Sequence, residues 1–230
     1  MKRFLVVPAA LALTAAVAAQ TAQTPPQNPP QQPPAGTQQQ QQRPPQAPLG
    51  PNEWRIDRNH SQANFSVRHN VVSTVRGQLG AISGKIEYDG KDVKSVTADV
   101  TIDVTAINTG NQGRDNDLRT DNFFNTATYP NMTFKSKRVE PVSDGKFKLI
   151  GDLTIRDKTS EVVLDVEGPS TVVKGPRGVL TGATATTKIS RKAFGILYAR
   201  MIEAMPVVGD EVTVVIDLEL NRPALPGSTQ

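Results

Sequence analysis

Between residues 53 and 222, apolar and polar side chains alternate with a period of two, the mark of strands that bury one face. Val96, Ala98, Val100, Ile102 and Val104 interleave with Thr97, Asp99, Thr101, Asp103 and Thr105. Phe147, Leu149, Gly151, Leu153 and Ile155 interleave with Lys148, Ile150, Asp152, Thr154 and Arg156. Val162, Leu164 and Val166 oppose Asp165 and Glu167, and Val212, Val214, Ile216, Leu218 and Leu220 oppose Glu211, Thr213, Asp217 and Glu219. Weaker alternation covers 54–58, 63–71, 82–88, 132–139 and 179–191. Gly77, Gly80 and Gly84 break the parity and predict a bulge or sharp coiling there.

Asp89-Gly90, Asp144-Gly145, Gly175-Pro176 and Gly209-Asp210 supply turns between these runs. The helical candidates are short, at Arg114 to Phe124 and near Ile196 to Met205. Eight or more antiparallel strands with one-sided alternation make a sandwich or a closed barrel. Length and strand number suit an all-β, eight-stranded antiparallel barrel, whose interior either fills itself or holds one small ligand. The inward set is rich in small residues (Ala63, Ala98, Gly151, Ala183, Ala185) and aromatics are only 5% of the chain. That composition is compatible with an apolar cavity or with a slim, packed barrel.

The first 52 residues follow a different pattern. Lys2 and Arg3 precede an apolar run from Phe4 to Ala19, with Val17 and Ala19 placed for cleavage before Gln20. Residues 1–19 therefore read as a secretory signal, which predicts a periplasmic or secreted protein. Residues 20–52 hold ten prolines, the Gln38–Gln42 run and one charge, Arg43. Such a stretch buries too little apolar surface to fold and forms a semi-stiff disordered tether. Residues 223–230 read as a disordered tail. No other run is apolar enough to cross a bilayer as a helix, so any membrane contact is transient.

Charge changes the picture once it is located. The whole chain carries +4, but 23 basic and 22 acidic residues fall within 53–222. A nearly neutral domain without a basic patch does not suit nucleic acid. The absence of cysteine excludes disulfides, iron–sulfur clusters, cysteine-ligated zinc and a thiol nucleophile. The two histidines, His60 and His69, lie an odd nine residues apart, on opposite faces of an uninterrupted strand, so no metal site is expected. No Gly-x-Ser-x-Gly elbow, phosphate loop or dinucleotide fingerprint occurs. The strand acids face water. The segment from Arg114 to Phe124 reads as a helix end or plug on the barrel, its arginines pairing with Asp115, Asp117 and Asp121.

Trp54-Arg55-Ile56-Asp57, His60-Ser61, Phe65-Ser66-Val67 and His69 resemble the opening of the YceI-like family. The resemblance continues through Arg114-Asp115, Leu118-Arg119, Asp121, Phe123-Phe124, Tyr129-Pro130 and Thr133-Phe134. It extends over Gly151-Asp152-Leu153-Thr154-Ile155, Arg191, Phe194-Gly195 and Gly209-Asp210-Glu211-Val212, in order across 53–222. Asp117 stands where the family often carries histidine, and Asp157 where it usually carries glycine.

The resemblance implies an extended lipocalin-like barrel in an exported bacterial protein. It also implies an internal tunnel for a polyisoprenoid quinone, prenyl lipid or fatty-acid-like amphiphile. Parity assigns Phe65, Val67, Val100, Ile102, Phe134, Phe147, Leu153 and Ile155 to that tunnel. His69, Asp115 and Arg191 are the candidates for its mouth or the ligand's head group. A bound lipid is the expected partner, with no cofactor, metal or catalytic residue. The alternatives are a lipid hydrolase or isomerase using His69 with a nearby acid, and a structural module displayed on the tether.

Overall fold

The computed structural model describes residues 48–175, 178–199, 201–202 and 205–223. The expected signal, the tether through residue 47 and the tail from residue 224 lie outside the described residues. The strands are β1 (Glu53–Ile56), β2 (Gln62–His69), β3 (Ser73–Glu87), β4 (Thr97–Asp103), β5 (Asn131–Ser143) and β6 (Lys146–Ile155). They continue as β7 (Lys158–Glu167), β8 (Val173–Gly175), β9 (Gly178–Ser190), β10 (Met201–Ile202), β11 (Met205–Pro206) and β12 (Val208–Pro223). Among the described residues one α-helix, α1 (Gln112–Arg119), lies between β4 and β5.

Eight of these strands close a ring in the order β12, β2, β3, β4, β5, β6, β7, β9 and back to β12, all antiparallel. Closure removes the unpaired edges that an open sheet would expose. β1 pairs the same two neighbours as β2, at Arg55↔Asn221 and Trp54↔Ile86, so β1 and β2 form one interrupted wall. At the interruption the Asp57 N–H donates to the Glu219 carbonyl at 2.8 Å, and the Ser61 hydroxyl accepts from the Glu219 N–H at 3.0 Å. β8 pairs β9 beyond the end of β7 in the same way.

The parity break falls where the glycines predict it. The β2–β3 register shifts between Ala63↔Gly80 and Asn64↔Gln78. Gly80 has φ of 141°, and a Cβ there would overlap the Asp103 carbonyl. The bulge lets both Leu79 and Ile82 turn inward. Outside, Lys146–Glu167, Lys148–Asp165 and Lys188–Glu211 pair across neighbouring strands in solvent, as the outward acids require.

Inside, the core divides along the barrel axis. Trp54, Ile86, Tyr88, Val96, Phe147, Leu164 and Leu220 cluster at one end. Phe65, Leu79, Ile82, Phe123, Met132, Ile155, Phe194 and Val214 belong to the other, the helix end.

Both helical expectations need correction. α1 begins at Gln112, because the Asn111 side chain caps it by accepting from the Arg114 N–H, and it ends at Arg119. Thr120 is extended, and its hydroxyl donates to the Asp117 carbonyl, so Asp121 to Phe124 form a turn. No helix spans 196–205 among the described residues. The Ile196 carbonyl, which a helix would need, accepts from Arg191 Nη1 at 2.6 Å. Met201–Ile202 and Met205–Pro206 pair as a short ladder instead. The helical turn here is earlier, a 3-10 segment at Arg191–Phe194 closed by left-handed Gly195.

Candidate functional site

Two apolar chambers lie inside the barrel. The larger, of about 110 Å³, is walled by Val100, Ile102, Phe134, Phe147, Leu149 and Leu153 on one side, and by Ala183, Ala185, Ile216 and Leu218 on the other. It exists because Ala98, Ala183 and Ala185 point inward where larger residues would meet. Gly151 adds none of its own volume, and a Cβ there would collide with Phe134 and the backbone of β5. The second chamber, of about 70 Å³, occupies the helix end between Phe65, Val67, Leu79, Ile155, Ile189 and Val212. Leu118, Phe123 and Phe124 close it.

The eight residues that the sequence assigns to a tunnel divide between the chambers. Val100, Ile102, Phe134, Phe147 and Leu153 line the larger, and Phe65, Val67 and Ile155 the smaller. Met132 and Val214 line both. Neither was named as a tunnel residue from the sequence, although Met132 shares parity with Phe134, and Val214 with Val212 and Ile216.

The polar candidates do different work. Arg191 lines the smaller chamber and is 6% exposed. Its guanidinium donates to the carbonyls of Gly209 (2.8 Å), Ile196 (2.6 Å) and Val208 (3.1 Å), tying its own turn and the chain at Ile196 to the start of β12. Burial lowers its pKa, and the Asp210 charge partly opposes that shift. Burial pushes the Asp210 carboxyl up, but the Ser190 hydroxyl, the Lys192 N–H and the Lys192 and Arg191 charges outweigh it and hold the group low.

Asp115, also buried, accepts from the Thr109 N–H at 2.8 Å and from the Thr109 hydroxyl. Arg114 donates to the Thr109 hydroxyl and carbonyl, and Arg119 to the carbonyls of Thr105 and Ile107. These bonds staple a very polar helix to the preceding loop, and they replace the arginine–acid pairs expected from the sequence. His69 ends β2 opposite Val208, past Val67 on the inward parity. Neither His69 nor Asp115 is among the residues that line a chamber.

His60 lies at the other end. The β1–β2 interruption takes it off the strand, so the opposite-faces argument does not apply to it. Glu219 beside His60 and Val208 beside His69 are separated along β12 by about 35 Å at ~3.3 Å per residue. The His60 Nδ1 is 3.4 Å from Asp57 and 3.6 Å from Glu219. The ligand atoms of these three residues all lie within 4.8 Å of one another, the one grouping among the described residues with the spacing of a metal site. It sits on the surface, with the His60 side chain 64% exposed. The Asn59 N–H, and more weakly His60, hold the Asp57 carboxyl below its usual range against a small opposing effect of burial.

The barrel wall is thinnest between β7 and β9, which pair only at Asp165↔Thr186, Val166↔Ala185 and Glu167↔Thr184. Beyond that ladder a surface groove of about 490 Å³ runs between Ser160, Val162, Thr187 and Ile189. Val162 and Thr187 also line the larger chamber, and Ile189 lines the smaller.

The barrel is similar in fold to known proteins. The YceI-like domain family matches residues 54–220. A UPF0312 protein of Staphylococcus aureus is 35% identical over 150 residues, covering 64% of this chain and 84% of its own. The crystal structure of a Campylobacter jejuni YceI protein superposes with a TM-score of 0.58 at 32% identity, covering 66% of this chain and 87% of that one. A polyisoprenoid binding domain from Saccharophagus degradans shares the fold at 21% identity and a TM-score of 0.55, covering 74% of this chain and 98% of that one.

Proposed function

Since the chain belongs to the YceI-like family, we propose that it is a carrier that holds the apolar chain of a long amphiphile, a polyisoprenoid or fatty-acid-like lipid, inside its barrel. The observation that carries this reading is the pair of apolar chambers along one closed barrel. The polyisoprenoid binding domain that shares the fold supports the ligand class. Removing apolar surface from water is worth about 25 cal/mol per Å², so a tail sheathed by these walls is held without any covalent step.

The chambers also limit the reading. An apolar cavity near 150 Å³ takes about one benzene-sized molecule. A long chain therefore has to run through both chambers and push their walls apart. Arg191 is the nominated polar residue that lines a chamber, and its guanidinium has N–H groups beyond the three that bind carbonyls. In this reading the head group sits at the helix end near Arg191, and the tail points towards Trp54. The sparse β7–β9 seam is the route by which the chain slips in sideways. Export follows from the signal-like residues 1–19, and N-terminal sequencing of the mature protein is expected to begin near Gln20.

Solvent extraction of the purified protein followed by mass spectrometry tests the reading. One long-chain lipid per barrel, recovered intact, is the expected result. An empty barrel that also turns over a supplied lipid ester, with the turnover lost in His69→Ala, would replace the carrier with an enzyme.

A further inference from the structure

The barrel interior is one tube by topology but two chambers by packing, and the residues common to both define what divides them. Those residues are Met132 and Val214. Met132 lies on β5 and Val214 on β12. In the closed ring these strands stand four positions apart in either direction, so the two side chains project from opposite walls. Both are almost fully buried, at 4% and 6% exposure.

Their registers place both at the boundary between the chambers. Met132 pairs with Ile102 on β4. Val214 pairs with Phe65 on β2 and Thr187 on β9. Ile102 and Thr187 line the larger chamber, while Phe65 lines the smaller, as expected for a boundary.

The two halves of this boundary differ mechanically. Valine is branched at Cβ and is nearly fixed at χ1. Methionine is unbranched, has three rotatable bonds and fills irregular gaps at little cost. Of the two side chains, Met132 is the one able to turn aside.

Resting on the carrier reading above, we propose that Met132, set against Val214, is the septum that determines how long an apolar chain the barrel accepts. A short amphiphile with its head near Arg191 stays within the helix-end chamber, pushing its walls apart without displacing Met132. A longer one gains affinity only when Met132 swings aside and admits its tail to the larger chamber. Each additional buried methylene is then worth about a factor of four in affinity. Chain-length preference is therefore set at residue 132 more than by the total volume of the interior.

The test is a binding series with geraniol, farnesol and geranylgeraniol, measured by displacement of an apolar fluorescent dye from the delipidated full-length protein. Met132→Phe enlarges the septum and is expected to weaken geranylgeraniol by about tenfold or more, the loss of two or more methylenes, with geraniol binding kept. Met132→Ala removes the septum and should favour geranylgeraniol over geraniol by a similar factor. Val214→Ala acts from the opposite wall and should shift the preference in the same direction, which covers the case in which a residue-132 variant does not fold. Unchanged length preference in variants that fold and bind overturns the septum and leaves the carrier intact. Failure of the wild-type protein to bind any of the three alcohols overturns the carrier reading itself.

Discussion

Filling the larger chamber with a side chain separates a ligand cavity from an ordinary core. Ala98 on β4 is 6% exposed and lines that chamber. Ala98→Ile adds three carbon atoms at a position where β-branching suits a strand. If the chamber of about 110 Å³ receives them without displacing their neighbours, the added burial is worth ~0.8 kcal/mol per carbon, about 2 kcal/mol in all. If instead the barrel is already packed to crystal density, the same substitution overpacks it and costs ~1–3 kcal/mol. The sign of the change decides between the two. Urea unfolding of the delipidated protein, followed by far-ultraviolet circular dichroism, reads it directly. With a slope of ~2 kcal/mol per molar, the midpoint should rise by about 1 M. Binding of an apolar dye should fall at least tenfold in the same variant. A variant that is destabilised and still binds dye at wild-type affinity would show that the space at Ala98 is neither empty nor used.

Other residues give further tests. Arg191→Met leaves the carbonyls of Ile196, Val208 and Gly209 without their donor in a buried site, and is expected to cost ~3 kcal/mol or more in urea unfolding. A loss below about 1 kcal/mol would show that water replaces the guanidinium freely. Asp210 has a folded pKa below its unfolded value, so it contributes stability above the unfolded value of about 3.9, and that contribution is lost as pH falls through the folded pKa. Asp210→Asn should therefore be less stable than wild type at neutral pH and converge with it in acid, and a constant difference at all pH values would contradict the assignment. At the β7–β9 seam, the amides of β7 that face β9 beyond Asp165 should exchange with deuterium faster than those of β9 that face β12. Equal protection by nuclear magnetic resonance would close the lateral route.

The barrel was legible in the sequence because one buried face writes a period of two, and the runs at 96–104, 147–155 and 212–220 were long enough to show it. The glycine cluster at 77–84 marked the bulge, since Gly80 takes a backbone conformation and a close approach that other residues avoid. Several residues that parity turns inward, the alanines among them, line the two chambers. Helix boundaries were less legible, because α1 is polar throughout and is held by Asp115, Arg114 and Arg119 bonding to a loop that alternation does not describe. The segment after Arg191 looked helical until the guanidinium claimed the Ile196 carbonyl, a tertiary contact invisible to local pattern. His60 was misplaced for a related reason, since the strand it was counted on is interrupted at Asp57 to Ser61. Met132 and Val214 both lay on the inward parity, but that they project from opposite walls depends on β5 and β12 standing across a closed ring. Only the strand order supplies that.

Native mass spectrometry of the delipidated protein titrated with geranylgeraniol tests the central claim most directly. One alcohol bound per chain is expected, with the adduct lost in Ala98→Ile. Absence of any adduct from a folded wild-type protein, or an adduct that persists undiminished when the chamber is filled, would contradict a lipid held inside the barrel.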